Sequence, residues 1–162
     1  MTWSIELVVI VASTFLLAGV VKGVIGMALP TVSLGVLAAT LGLKEAIILM
    51  LVPSIVTNIW QGVTGGYLFP LMKRLWLLLV AMLVGIWFAA EALAMPDTSI
   101  LEVLLGITLI VYGFLGLTTL QLPSVNKGEF WFSPIIGMTT GLLAGLTGST
   151  VLPVVPYLQT LK

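Results

Sequence analysis

The 162-residue chain has no cysteine and no histidine. The first absence excludes disulfides and thiolate metal sites. The second, with only six carboxylates in all, leaves almost nothing for hydrolytic or metal chemistry, so no enzyme activity and no cofactor are expected. Charge is the next scarcity: 7% of residues are charged, against about a quarter in an ordinary soluble domain. So few charges cannot cover a water-facing surface when 60% of the residues are apolar. The formal net charge is zero, which argues against nucleic acid as a partner. The start, Met1-Thr2-Trp3-Ser4-Ile5-Glu6, lacks the basic segment of a cleaved signal peptide, so the first apolar run is expected to be kept.

What the chain does have is long apolar runs without the two-residue alternation of a membrane barrel. They predict an all-α, polytopic transmembrane helical bundle surrounded by a lipid bilayer. The charged residues divide the sequence into Leu7–Val21, Gly23–Leu43, Ala46–Met72, Leu75–Ala94, Ile100–Leu120 and Phe130–Leu161. The third run should stop being helical near Gly65-Gly66, and Lys73-Arg74 reads as the boundary before the fourth. Met95–Ser99 is a turn, with Pro-Asp chemistry at its centre. One crossing needs about 20 residues. Leu7–Leu43 and Phe130–Leu161 are both too long for one straight helix, and each must bend or turn back.

The bends have a sequence signature. Gly19, Gly23 and Gly26 stand in a G-x-x-x-G-x-x-G frame followed by Pro30. Gly141, Gly145 and Gly148 repeat that frame at a constant offset, followed by Pro153 one residue late. Glycine and proline stop, bend and restart apolar helices. In lipid such a break survives only where protein or a water-filled cavity satisfies the freed backbone groups. Broken helices are therefore expected at residues 19–30 and 141–156, in corresponding positions of an internal repeat. Residues 1–122 read as a first transmembrane repeat, 123–132 as a connector and 133–162 as the beginning of an incomplete second repeat. Lys73 and Arg74 place their loop inside. If Leu7–Leu43 makes two crossings or a re-entrant hairpin, the repeats are inverted; if it crosses once, they are parallel. Matching breaks in two halves point to a transporter's binding site.

Few polar residues remain to line one. Ser54, Thr57, Asn58 and Gln61 fall at i, i+3, i+4 and i+7, one face of a helix just after Pro53. They read either as uncharged hydrogen-bond donors for a substrate or as interhelical glue. Lys22, inside the first frame, reads either as a buried base facing an anion or as a lysine snorkelling at a helix end. After Gly148, Ser149 and Thr150 supply hydroxyls where a new helix could start, and exposed N–H groups there would favour an anion. The glycines have a packing reading too: Ser133, Gly137, Gly141, Gly145 and Ser149 recur every fourth residue. Trp60, Trp76, Phe130 and Trp131 lie near run ends, as interfacial anchors do.

Three segments, GVVKGVIGMALPTVSLGVL, KEAIILMLVPSIVTNIWQ and GLLAGLTGSTVLPVVPYLQ, resemble the sulfite exporter TauE/SafE family of membrane transporters. The resemblance rests most on the two glycine frames and on P-S-x-x-x-N-x-W-Q at Pro53–Gln61. It implies a bacterial inner-membrane protein that exports small anions, notably sulfite and organosulfonates. The expected substrate site comprises Lys22, Gly23, Gly26, Pro30, Ser54, Asn58, Gln61, Gly145, Gly148, Ser149 and Thr150. Two departures are visible. Met27-Ala28-Leu29 stand where family members carry more glycine, and the chain stops at Lys162, just past the second frame. The expectation is a truncated transporter whose remainder comes from a second copy or a missing C-terminal half. The competing expectation is a multi-pass membrane subunit that transports nothing.

Overall fold

A computed structural model describes residues 4–26, 29–95, 97–118 and 128–161. Met27, Ala28 and the connector up to Lys127 lie outside the described residues. The described chain is α-helical without a strand: α1 (Ile5–Ile25), α2 (Leu29–Leu41), α3 (Leu43–Thr64), α4 (Leu68–Ala89), a 3-10 helix (Ala90–Ala94), α5 (Ser99–Leu117), α6 (Glu129–Thr147) and α7 (Val154–Thr160). Among the described residues, five segments are long and apolar enough to cross a membrane: Ile5–Val24, Leu43–Thr64, Leu68–Ala94, Ser99–Leu117 and Glu129–Thr147. The molecule is a multi-pass membrane protein, and its surface agrees. Val24, Trp87 and Leu117 are each at least 80% exposed, which only lipid makes tolerable on this scale.

Both expected breaks are present, and each falls on the third glycine of its frame. Gly26 closes α1 with φ 78°, and its N–H donates to the Lys22 carbonyl at 2.7 Å. Gly148 closes α6 with φ 73°, and its N–H donates to the Ala144 carbonyl at 2.8 Å. Left-handed backbone at this position is what a helix-ending glycine supplies and a residue with Cβ resists. At the other end of α1, the Ser4 hydroxyl accepts the Leu7 N–H at 3.3 Å, an ordinary N-cap. α2 has 13 residues, about 20 Å of helix, and falls short of a ~30 Å hydrocarbon core. The run Leu7–Leu43 is thus one spanning helix followed by a shorter one.

One boundary differs from expectation. α4 does not begin after Lys73-Arg74 but runs through them from Leu68, with non-helical dihedrals only at Leu75 (φ −102°, ψ 15°). Pro70 is compatible because it sits in the first turn, where its missing N–H breaks no intrahelical bond. Trp76 is consequently inside α4 rather than near a helix end.

The chain forms two compact units, residues 1–58 and 59–162. In the first, α2 folds back on α1, and Ala18, Leu34, Leu37, Leu43 and Ala46 are fully buried. The second is organised by α4 against α6. A Cβ added at Gly137, Gly141 or Gly145 would lie within 3 Å of the carbonyl oxygen of Leu78, Met82 or Ile86, in that order. The matching order makes the two helices parallel, and the four-residue step on both sides is close packing through a small-residue ridge. Gly85 of α4 meets Met138 and Leu142 from the opposite side.

Beyond Gly148 the chain returns along α6. Val154 and Tyr157 of α7 pack on Leu78, with Leu75, Leu79, Ile136, Val155 and Leu161 around them. The Tyr157 hydroxyl is 2.8 Å from Ser133 Oγ, and Arg74 makes a two-pronged ion pair to Glu129 at 2.8 and 2.9 Å.

Candidate functional site

Lys22 occupies the last turn of α1, half-buried, and α3 carries the polar stripe beside it. Its Nζ donates to Thr57 Oγ1 at 3.0 Å and to Asn58 Oδ1 at 2.5 Å. Asn58 Nδ2 in turn donates to Ser54 Oγ at 3.3 Å. Thr57 Oγ1 donates to the Pro53 carbonyl at 2.8 Å, which leaves its lone pairs to Lys22. Pro53 is inside α3, and the carbonyl one turn before it, that of Leu49, loses its usual N–H partner. Lys22, Ser54, Thr57 and Asn58 all belong to the first unit, and the structure brings the four together.

Counting protons shows what this cluster can do. The ammonium has three N–H groups and spends two; the Asn58 amide has two and spends one; the Ser54 hydroxyl still has its proton. Each of the three still has an N–H or O–H to give, and one carries a positive charge. Among the described residues no carboxylate pairs with Lys22. A site of donors with an uncompensated cation suits an anion, and charge-assisted donors bind one most strongly. Gly26 turns the chain out of α1, Gly23 is exposed one turn earlier, and Pro30 sits in the first turn of α2, where proline fits.

Thr57 is the member that sequence reasoning places on the stripe but not in the site. Its signal is available, since it lies three residues from Ser54 on the same face. Gln61 continues the stripe beyond Asn58, exposed and in the second unit. Ser33, early in α2, is fully buried and its hydroxyl has no partner among the described residues.

The second break belongs to the other unit and has a different chemistry. Gly145 is held against Ala89 and the Ile86 carbonyl, so its immediate role is to let α4 and α6 touch. No helix begins at Ser149 or Thr150: residues 149–153 are non-helical and α7 starts only at Val154. Pro153 and the β-branched Thr150 and Val151 disfavour an earlier start. What points into the break is therefore the carbonyl end of α6. Ser149 N–H donates to Thr147 Oγ1 at 3.3 Å, and Thr147 Oγ1 donates to the Leu143 carbonyl at 2.7 Å. Ser149 Oγ and Thr140 Oγ1 are buried without a hydrogen-bond partner among the described residues, whereas Thr150 is exposed. No group of three or more acidic, histidine or cysteine side chains able to hold a metal occurs among the described residues.

A family model described as Sulfite exporter TauE/SafE matches residues 11–162. No curated protein and no solved structure matches the chain.

Proposed function

Because the chain belongs to the sulfite exporter TauE/SafE family of membrane transporters, we propose that it carries small anions, sulfite or organosulfonates, outward across a bacterial inner membrane. The observation that supports this reading is the cluster of Lys22, Ser54, Thr57 and Asn58, which has spare donors and a cation without a carboxylate partner among the described residues. An arriving oxyanion takes the spare N–H of Lys22, the spare N–H of Asn58 and the Ser54 hydroxyl in place of water. Thr57 holds the ammonium beside α3 when no anion is present. Gly23, Gly26 and Pro30 shape the backbone around it, with Gly26 the residue best able to absorb a change in helix direction.

The test is flux of radiolabelled sulfite or of a short alkanesulfonate in proteoliposomes, with this chain and with one extended by a complete second repeat. Lys22→Gln removes a charge-assisted hydrogen bond worth about 1.5–3 kcal/mol, so anion affinity should fall roughly 10- to 100-fold. Asn58→Ala should fall less. Flux from neither form, or flux unchanged by Lys22→Gln, overturns the reading. A second reading, a membrane subunit that transports nothing, draws on the tight glycine contacts of α4 and α6, which serve packing. Under it Asn58→Ala impairs assembly and leaves no transport phenotype in the assembled protein.

A further inference from the structure

The two glycine frames place different groups at the ends of α1 and α6. Lys22 stands four residues before Gly26, so α1 carries a cation in its last turn, where the partial negative charge of the helix terminus favours one. At the equivalent position before Gly148 the chain has Ala144. α6 has no basic residue in its last turn. Its C-terminal carbonyls are correspondingly open. Gly148 N–H takes that of Ala144, Ser149 N–H turns aside to Thr147 Oγ1, and the carbonyls of Gly145, Leu146 and Thr147 receive no backbone N–H from the described residues.

Ser149 follows one residue past Gly148, in the non-helical stretch before α7. Ser149 is 1% exposed and its hydroxyl has no partner among the described residues. A buried hydroxyl left so is destabilising unless a ligand binds it. The field around this end favours a cation as well. Because α4 and α6 are parallel and Gly145 meets Ala89, the 3-10 helix that follows Ala89 lies at the same end, and it packs against α6. It carries Glu91; Asp97 precedes α5 and Glu102 is in its first turn, and no Lys or Arg lies between Arg74 and Lys127. The basic pair Lys73-Arg74 is near the opposite end of α4.

We propose that the carbonyl terminus of α6 together with Ser149 Oγ binds a monovalent cation, Na+ in the first instance. The oxygens offered are neutral carbonyls and a hydroxyl, which suit a singly charged hard ion. A divalent ion would require carboxylates in its coordination shell, and neither Ser149 nor the last turn of α6 supplies one. Broken-helix C-termini with unwound carbonyls are a chemically sound way to hold such an ion in a membrane. The site is in the second unit and does not depend on the Lys22 cluster.

Equilibrium dialysis of 22Na+ with the full chain in lipid nanodiscs tests it. One saturable Na+ per chain is expected, displaced by Li+ and not by choline. Ser149→Ala should weaken it about 10-fold without loss of helicity, since that hydroxyl makes no bond that holds the fold. Ser149→Thr should restore binding. Thr139→Ala, an exposed hydroxyl bonded only to its own helix, should leave it unchanged. Lys22→Gln should also leave Na+ binding intact, so failure of the anion reading and failure of this one are separable. Absence of saturable Na+ binding in the unaltered chain overturns the proposal, as does equal binding by Ser149→Ala. Loss of a labelled oxyanion on Ser149→Ala would assign the break to anions instead and overturn it too.

Discussion

Gly141→Ala is the sharpest probe of what holds the second unit together. The new Cβ would lie 2.2 Å from the Met82 carbonyl oxygen and 2.9 Å from the Met82 carbonyl carbon and Cα. All three are backbone atoms of a helix, so no rotamer change relieves the clash. Reaching even the 3.0 Å lower limit of real Cβ contacts requires α4 and α6 to part by at least about 0.8 Å. A gap of 0.5–1 Å already forfeits a quarter to a half of each dispersion contact along the seam. Overpacking of this kind costs about 1–3 kcal/mol. The upper part of that range applies, because opening the seam at Gly141 also lifts Gly137 off Leu78 and Gly145 off Ala89. Gly113→Ala is the matched control: it is on α5 with nothing within 4 Å, and should gain about 0.5–1 kcal/mol from helix propensity. Reversible unfolding in mixed micelles, followed by far-ultraviolet circular dichroism, measures both. The Gly85→Ala/Gly141→Ala pair should cost less than the sum of its parts, since the first substitution already opens the shared contact. If Gly141→Ala proves as stable as Gly113→Ala, the seam is not where the stability lies.

Gly26→Ala and Gly148→Ala should each destabilise by about 1–2 kcal/mol in the same unfolding assay, because both need left-handed backbone, and Asn at either position should recover part of the loss. Tyr157→Phe strands the buried Ser133 hydroxyl and should cost about 1–2 kcal/mol, while adding Ser133→Ala should return some of it. Asp97 accepts the N–H and hydroxyl of Ser99 at 2.9 and 2.6 Å, and these bonds hold its carboxyl below the ordinary aspartate range. A lowered folded-state value stabilises above the unfolded value and loses that contribution as pH falls through the folded one. Asp97→Asn should therefore flatten the acid limb of stability against pH below about 4; a limb of unchanged slope would show that the Asp97–Ser99 hydrogen bonds are idle.

The breaks are legible in the sequence because one residue type answers one backbone demand: only glycine enters the left-handed region freely, and Gly26 and Gly148 both do so. The stripe at Ser54, Thr57 and Asn58 is legible for a similar reason, since helical spacing alone puts the three on one face. Lys22 is not resolvable that way. Whether it snorkels or bonds inward depends on how closely α1 approaches α3, a tertiary distance that no local pattern encodes. The start of α4 is misplaced by the charge pattern because charge marks a membrane interface rather than a helix end, and Lys73 and Arg74 fit a helix as well as a loop. The stretch after Gly148 misleads too. Ser and Thr favour helix starts, but Pro153 sets the place from which a helix can begin, and that outweighs them.

The two frames share a spacing and diverge in use. A Cβ at Gly19 or Gly23 would meet nothing within 4 Å, while one at Gly141 or Gly145 would strike backbone or a methyl group of α4. The first two glycines of a frame therefore cannot be explained by a common packing need, and the third can be explained by a common stop. The chemistry at that stop then depends on the residue four positions before it. With Lys22 there, the helix end brings its own positive charge and presents donors across to α3. With Ala144 there, the end presents carbonyls and a buried serine hydroxyl that have no partner among the described residues. A duplicated backbone device can in this way serve solutes of opposite sign, because the backbone sets only where the helix opens and one side chain decides the charge that the opening will accept.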